Sequence, residues 1–341
     1  MPIYEFDQWR QQYFLETYCP PDVHIPTDDT LGCRFNPRDR WVYNKLLIAK
    51  SQGFICGLHD FPPSKYPVFC KPVVNLKGMG IGACVLHDEV DFLRHCHEAD
   101  FWMPLLRGEH VSTDYAVVNG EPMWSRHSFA MPAIAGTFDY WVVEARRRPA
   151  LERYCGDWIT KHMRSYTGML NIETIGGCII EVHLRFADQW PDLNGRGWLD
   201  SVVRLYELRQ WQFDDQRRRD GYSVVLFGPH GRQYSHPRPE QIRKYRDVRA
   251  ISSVQITFRE DLAASEHNMP PGGFRLAVIN THDFGAGLHL RALLAQDFGV
   301  SRQGCFEHHL SAIPAVDEAD TEFKPTLPMM VALREDQPQT R

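Results

Sequence analysis

Long apolar runs are absent: no stretch of the 341 residues approaches the length that crosses a bilayer, which argues against a membrane protein. No charged-then-apolar leader opens the chain, so a reducing cytoplasm is the expected setting. The nine cysteines are odd in number and scattered, without a CxxC pair. Cys56, Cys70, Cys84 and Cys178 sit in apolar surroundings and read as small core residues. His95-Cys96-His97 is the nearest approach to a metal cluster, but neighbouring helical positions point to different faces. Positive charge is not in excess either. The formal net charge is −5, which argues against a general nucleic-acid binder. Arg146-Arg147-Arg148 and Arg217-Arg218-Arg219 are the densest basic runs and read as solvated faces or loops. No internal repeat and no low-complexity segment is found.

What is present is the make-up of a globular α/β chain, 43% hydrophobic and 24% charged, long enough for one large domain or two to three smaller ones. Residues 1–40 read as an irregular opening segment. "DRWVYNKLLIAKSQG" reads as one helix with Asp39 as cap and Gly53 at its end. "HDEVDFLRHCHEA" offers a short helix capped by Asp88. "FWMPLLRGEHVSTDYAVVNGEPMWSRHSFA" reads as a hinge and then two strands joined at Asn119-Gly120. Residues 139–165 read as helical, and "GMLNIETIGGCIIEVHLRF" as a hairpin turning at Gly176-Gly177. "WLDSVVRLYELRQW" is a further helix. From 221 the pattern restarts as a strand, a polar connection, two strands and a helix with Asp283 as cap. The proline-rich, acidic tail after 314 reads as loosely packed, and His308-His309 within this end receives no role.

The stretch "YPVFCKPVVNLKGMGIGACVL" carries the first chemistry. It lacks the GxxxxGK[ST] of a phosphate-binding P-loop, and its Gly78, Gly80 and Gly82 are followed by a strand rather than a helix. Strand, glycine loop and returning strand make a flap whose bare backbone N–H groups, with Lys71 and Lys77 nearby, suit an anionic ligand such as phosphate. A glycine-bearing hairpin with solvated lysines is the plainer alternative. Glu181 and His183 lie two apart on one strand and share a face, with Glu173 on the facing arm. Counting outward from the turn pairs Glu173 with Ile180, so the two carboxylates converge only if the strand twists or bulges. Two carboxylates and an imidazole suit a divalent cation that also touches phosphate; paired surface carboxylates are the alternative. Arg185 continues on the same face. Asp114 points into the cleft, and Arg126 either meets a substrate carboxylate or γ-phosphate or pairs with Asp114. His110 and His127 read as satisfied interior histidines.

In this order the features resemble the ATP-grasp superfamily of carboxylate–amine and carboxylate–thiol ligases, over roughly residues 41–210. The lysine-bearing helix, the Lys-Pro strand with its glycine flap, the hinge with its strand pair, and the hairpin similar to ExNxR together carry the likeness. The resemblance implies an α/β (α+β) fold: an ATP-grasp core at 41–210, with a flap subdomain at about 62–105 and a larger antiparallel metal-site subdomain at about 106–210. A short segment 1–40 precedes it, and a carboxy-terminal α/β subdomain and tail, 211–341, follows. It implies ATP and Mg²⁺ (or Mn²⁺) as cofactors. Lys45 and Lys71 would contact phosphates, Gly78, Gly80 and Gly82 would close over them, and the segment holding Trp102, Met103 and Leu105, with Glu109, would bind the nucleoside. Glu173, Glu181 and His183 would hold the metal, and Lys71, Arg185 and Arg126 would act on the reacting groups. The implied activity is ligation of a small carboxylate to an amine through an acyl phosphate, with neither nucleic acid nor membrane as partner. A carboxylase or phosphotransferase of the same fold, or a nucleotide-binding protein without turnover, are the alternatives. His183 stands where the family has asparagine, Met103 near a hinge position commonly glutamate, and the opening segment is far shorter than the family's first domain.

Overall fold

The computed structural model describes residues 3–4, 10–76, 80, 82–133, 137–267 and 269–300. Lys77, Gly78, His308-His309 and the tail after 314 lie outside the described residues. In the opening segment β1 (Ile3–Tyr4) pairs in parallel with β2 (Ile25–Pro26), and α1 (Asp29–Phe35) follows. Asp28 caps α1 by accepting the Leu31 N–H at 2.8 Å. The expectation of an irregular segment misses this helix because its two turns are too short to show an apolar period.

The single helix expected from Asp39 is broken. A 3-10 turn covers Arg40–Tyr43, and α2 (Lys45–Ser51) starts afresh after it. Asn44 is extended and its side chain accepts the Leu47 N–H at 3.0 Å, so Asn44, not Asp39, is the cap. The break makes Lys45 the first residue of α2, where it is buried.

A four-stranded antiparallel sheet comes next, in the order β3-β6-β4-β5. Its strands are β3 (Gly57–Leu58), β4 (Val68–Pro72), β5 (Cys84–Leu86) and β6 (Asp100–Pro104), with α3 (Glu89–His95) capped by Asp88 as expected. Strand alternation sorts β4: Val68 and Cys70 pack with Leu86, Phe92 and Trp102, whereas Phe69 joins Phe101, Met103, Leu46 and Cys178 on the opposite face. Lys71 shares that second face. The "FWMP" run expected as hinge is strand β6, its aromatic residues buried on both faces, and the connection proper is 105–109.

The large sheet holds eight antiparallel strands in the order β11-β10-β7-β8-β9-β12-β14-β13. They are β7 (His110–Val118), β8 (Glu121–Pro132), β9 (Phe138–Val143), β10 (Gly168–Ile175), β11 (Cys178–His183), β12 (Gly221–Gly228), β13 (Ile251–Ile256) and β14 (Phe274–Thr281). Asn119-Gly120 and Gly176-Gly177 have positive φ at both positions, the twist-matched two-residue turn. The helix expected over 139–165 opens as a strand. Its aromatic and β-branched first part forms β9, and α4 (Pro149–His162) begins at a proline suited to the first helical position. The polar connection after β12 contains α6 (Pro239–Arg246), which follows α5 (Trp198–Leu208). Asp283 caps α7 (Phe284–Asp297) by accepting the Ala286 N–H at 3.0 Å, as expected.

One face of the sheet at β7, β10 and β11 packs on α4 through Val111, Tyr115, Ile172, Leu151 and Trp158. Ala116, Met169 and Trp124 on the other face pack on α5 and the opening segment. The outer edge of β11 is met by a side chain: the Gln52 amide donates to Ile179 O at 2.7 Å and its carbonyl accepts the Ile179 N–H at 2.8 Å.

Candidate active site

The β10–β11 hairpin carries the extra residue that simple counting from its turn leaves out. Ile175 faces Cys178 and Thr174 faces Ile179, but Glu173 faces Glu181, so Ile180 is bulged. The bulge brings the two carboxylates opposite each other. His183 Nε2 lies 3.6 Å from Glu173 Oε1 and 3.7 Å from Glu181 Oε2. One ligand atom from each of the three residues lies within 4.8 Å of the others. His183 Nε2 is buried and has no hydrogen-bond partner among the described residues, and it faces two acceptor groups. This donor set of one nitrogen and two carboxylates fits a divalent cation.

Two lysines approach from neighbouring elements, the Lys45 N–H donating to the Val73 carbonyl just beyond β4 at 2.8 Å. Lys45 Nζ, projected from the start of α2, bonds Glu181 Oε1 at 2.5 Å. Lys71, at the end of β4, donates to the bulged Ile180 carbonyl at 2.9 Å and is 4% exposed. Burial pulls its pKa down to about 8; the Glu181 and Glu173 carboxylates oppose this fall and Lys45 adds to it.

Behind the cluster stands Asp29, the first residue of α1. Its Oδ1 accepts from His183 Nδ1 at 3.0 Å and from Arg185 Nε at 3.0 Å, and its Oδ2 from Arg185 at 3.3 Å. Burial opposes charge on Asp29, but Arg185 and His183 outweigh it and hold the carboxyl far below the usual range. Burial likewise opposes charge on His183, yet Asp29 raises its pKa to about 9; Arg185 opposes that rise and Glu173 supports it. A cation on Nε2 would take the place of that proton. His110 joins from β7, donating through Nε2 to Glu173 Oε2 at 3.0 Å. Burial tends to lower the His110 pKa, but Glu173 wins and raises it. The same two histidines, against burial, keep Glu173 well below the carboxylate range.

Other expected residues lie elsewhere or at the margin. Glu109 faces away from His110 and holds Arg148 at 2.5 and 3.0 Å, on the α4 side. Arg126 is opposite Asp114 in register but does not pair with it. Asp114 accepts from Asn171 at 2.8 Å and from the Ala187 N–H at 2.9 Å, and burial raises its pKa to about 6. Arg126 donates to the Arg219 carbonyl at 2.7 Å, and its buried Nε has no hydrogen-bond partner among the described residues. His127 is a satisfied interior histidine as expected, between Thr113 and Glu152. A cleft of about 480 Å³ opens where β6 ends, lined by Tyr66, Trp102, Leu105, Leu106, Ile175 and Cys178. Met103 itself is buried in the small sheet. Gly80 and Gly82 have φ of +62° and +80° beside β4 and β5. Sequence reasoning missed Asp29 and set His110 aside. The alternation from Glu109 to His110 was the available signal for His110; no local signal marked Asp29, which lies 154 residues from His183.

No protein-family profile matches the chain, and no curated protein matches it in sequence. Solved structures do match its architecture. An L-amino acid ligase from Bacillus licheniformis, 12% identical, superposes with a TM-score of 0.56 over 84% of this chain and 82% of its own. Phosphoribosylamine–glycine ligase from Thermotoga maritima, 13% identical, does so at 0.55 over 86% of each. The chain has the ATP-grasp fold. A carboxyaminoimidazole ribonucleotide synthase from Aspergillus clavatus, solved with ATP, is a third example of this ATP-grasp likeness, at 12% identity, TM-score 0.52, and 77% and 74% coverage. The ATP-grasp architecture here consists of the small sheet and the large antiparallel sheet, with Lys71 reaching from the first to the β11 edge of the second. Among the described residues no helix is long and apolar enough to cross a membrane.

Proposed function

We propose that this protein is an ATP- and divalent-cation-dependent ligase that activates a small carboxylate as an acyl phosphate and transfers it to an amine. The observation that carries this reading is the convergence of Glu173, Glu181 and His183 Nε2, made possible by the Ile180 bulge, beside two buried lysines. Structures of similar architecture include ligases named for amino-acid and amine substrates, which supports carbon–nitrogen bond formation.

Glu173, Glu181 and His183 would hold magnesium or manganese, and the imidazole favours manganese. Bound there, the cation supplies charge neutralisation to phosphate oxygens during phosphoryl transfer. Lys45 and Lys71 add fixed positive charge at the same place, and the flap with Gly80 and Gly82 would exclude water. The adenine would enter the cleft at Trp102 and Leu105, and Arg185 would meet the transferring phosphoryl group. Arg126, whose Nε has no partner among the described residues, would meet the substrate carboxylate.

The Asp29–Arg185 ion pair favours a second reading, a nucleotide-binding protein without turnover, because the guanidinium is already engaged by a carboxylate. ADP release separates the two. Small carboxylates are paired with amines in the presence of ATP and either cation. ADP formed only when acid and amine are both present is the expected result. Nucleotide binding with no ADP from any pair would leave the second reading standing.

A further inference from the structure

We propose that Asp29 is a positioning residue of the cation site, fixing the His183 ring so that Nε2 serves as a ligand and the site selects manganese over magnesium. The proposal rests on the reading of Glu173, Glu181 and His183 as a cation site, and it assigns a task to a segment that the sequence places outside the core.

A neutral imidazole has one N–H, and the hydrogen bond made by one ring nitrogen decides which nitrogen is left to bind a metal. Asp29 is a carboxylate and can only accept, so the 3.0 Å contact requires the hydrogen on His183 Nδ1. Nε2 is thereby directed to the two glutamates, buried and without a hydrogen-bond partner among the described residues. The ring is 5% exposed and the edge of Tyr43 packs against it, with centroids 6.4 Å apart.

Asp29 is itself held. Arg185 grips both of its oxygens, so the carboxylate cannot rotate without losing two charge-assisted bonds. Its helix is docked closely: a Cβ at Gly32 would lie 3.0 Å from the Leu184 carbonyl and would collide with the Tyr43 hydroxyl. That hydroxyl in turn accepts the Leu184 N–H at 3.1 Å. The carboxylate, the imidazole and the strand end therefore form one packed unit. An amide side chain in place of His183 would offer an oxygen and suit magnesium, whereas an imidazole nitrogen suits the later divalent ions. The preference depends on keeping that nitrogen aimed at the glutamates.

The experiment titrates Mn²⁺ into the 341-residue chain, following the free ion by electron paramagnetic resonance, with Mg²⁺ as competitor. Wild type, Asp29→Ala, Asp29→Asn, His183→Asn and Asp29→Ala/His183→Asn are compared. Asp29→Ala is expected to weaken Mn²⁺ by about ten- to a hundredfold. Mg²⁺ should change far less, and the ¹⁴N coupling to bound Mn²⁺ should disappear. In the His183→Asn background Asp29→Ala should add no more than about a twofold loss, because the two residues act as one unit. Should Asp29→Ala fail to fold, the near-isosteric Asp29→Asn is read, with a several-fold loss of Mn²⁺ preference expected. Unchanged Mn²⁺ affinity and ¹⁴N coupling in the folded variant, or independent losses in the double variant, would overturn the proposal. Tighter ATP binding with unchanged Mn²⁺ would also overturn it, making Asp29 a plug on Arg185. A wild type that binds ATP but no Mn²⁺ would remove the cation-site reading itself, and Asp29's part with it.

Discussion

Lys71 shows how much one buried charge can report. Its folded pKa of about 8 lies below the unfolded value of 10.5 because burial penalises the ammonium. Below pH 8 both states are protonated and the folded state carries the full penalty. Between 8 and 10.5 only the unfolded state holds the proton, so stability rises with pH, by at most about 1.4 kcal/mol per unit. In denaturant titrations across pH 7 to 10, the stability of wild type relative to Lys71→Met should rise with pH, the difference removing the opposite slope that His183 gives both proteins. Nucleotide affinity should move the other way, weakening above pH 8 as the ammonium is lost, and a pH-independent affinity would deny Lys71 a phosphate contact. Glu173, Glu181 and His183 were legible because a hairpin turn and a two-residue period fix which side chains share a face. Arg126 and Glu109 were less so. Pairing across a strand does not say which of several charges a guanidinium takes, and alternation puts only one of Glu109 and His110 into the cluster.

At the scale of elements, the reading succeeded where turn and cap chemistry is local: Asn119-Gly120, Gly176-Gly177, Asp88 and Asp283 all act as their residue types require. It failed where tertiary pairing overrode the pattern, as in β9, recruited between β8 and β12, or where an element was too short to show a period, as in α1. The bulge at Ile180 was legible only as a need, since the pair of glutamates required it and no residue type announced it. The docking of α1 gives a test at this scale. Gly32→Ala should push the helix off Leu184 and the Tyr43 hydroxyl, at a cost of about 1–3 kcal/mol. Manganese affinity should fall with it, although position 32 touches none of the proposed ligands. A stable Gly32→Ala protein with wild-type manganese binding would mean that α1 shifts without dragging Asp29.

On the scale of the whole molecule, the strands from 221 onward are not a separate layer: β12, β14 and β13 extend the sheet that begins at β11. Sequence order showed a restarting pattern but could not show that β9 would join the two runs. If the cleft holds a nucleotide and a cation, ATP with Mn²⁺ should raise the thermal midpoint, and at a hundredfold excess over the dissociation constant the gain is about 2.7 kcal/mol. Differential scanning with ATP, with Mn²⁺ and with both checks this, and no shift under any of the three would remove the nucleotide reading. The Gln52 amide on β11 has a consequence of another kind. A terminal strand with unsatisfied N–H and C=O groups invites a second chain to pair with it. Gln52 occupies both groups of Ile179, Lys71 takes the carbonyl of Ile180 and Tyr43 takes the N–H of Leu184, so side chains blunt this rim of the sheet. Gln52→Leu removes one end of that guard. Light scattering should then report larger, concentration-dependent species, because the strand that carries Glu181 and His183 would present an uncovered edge.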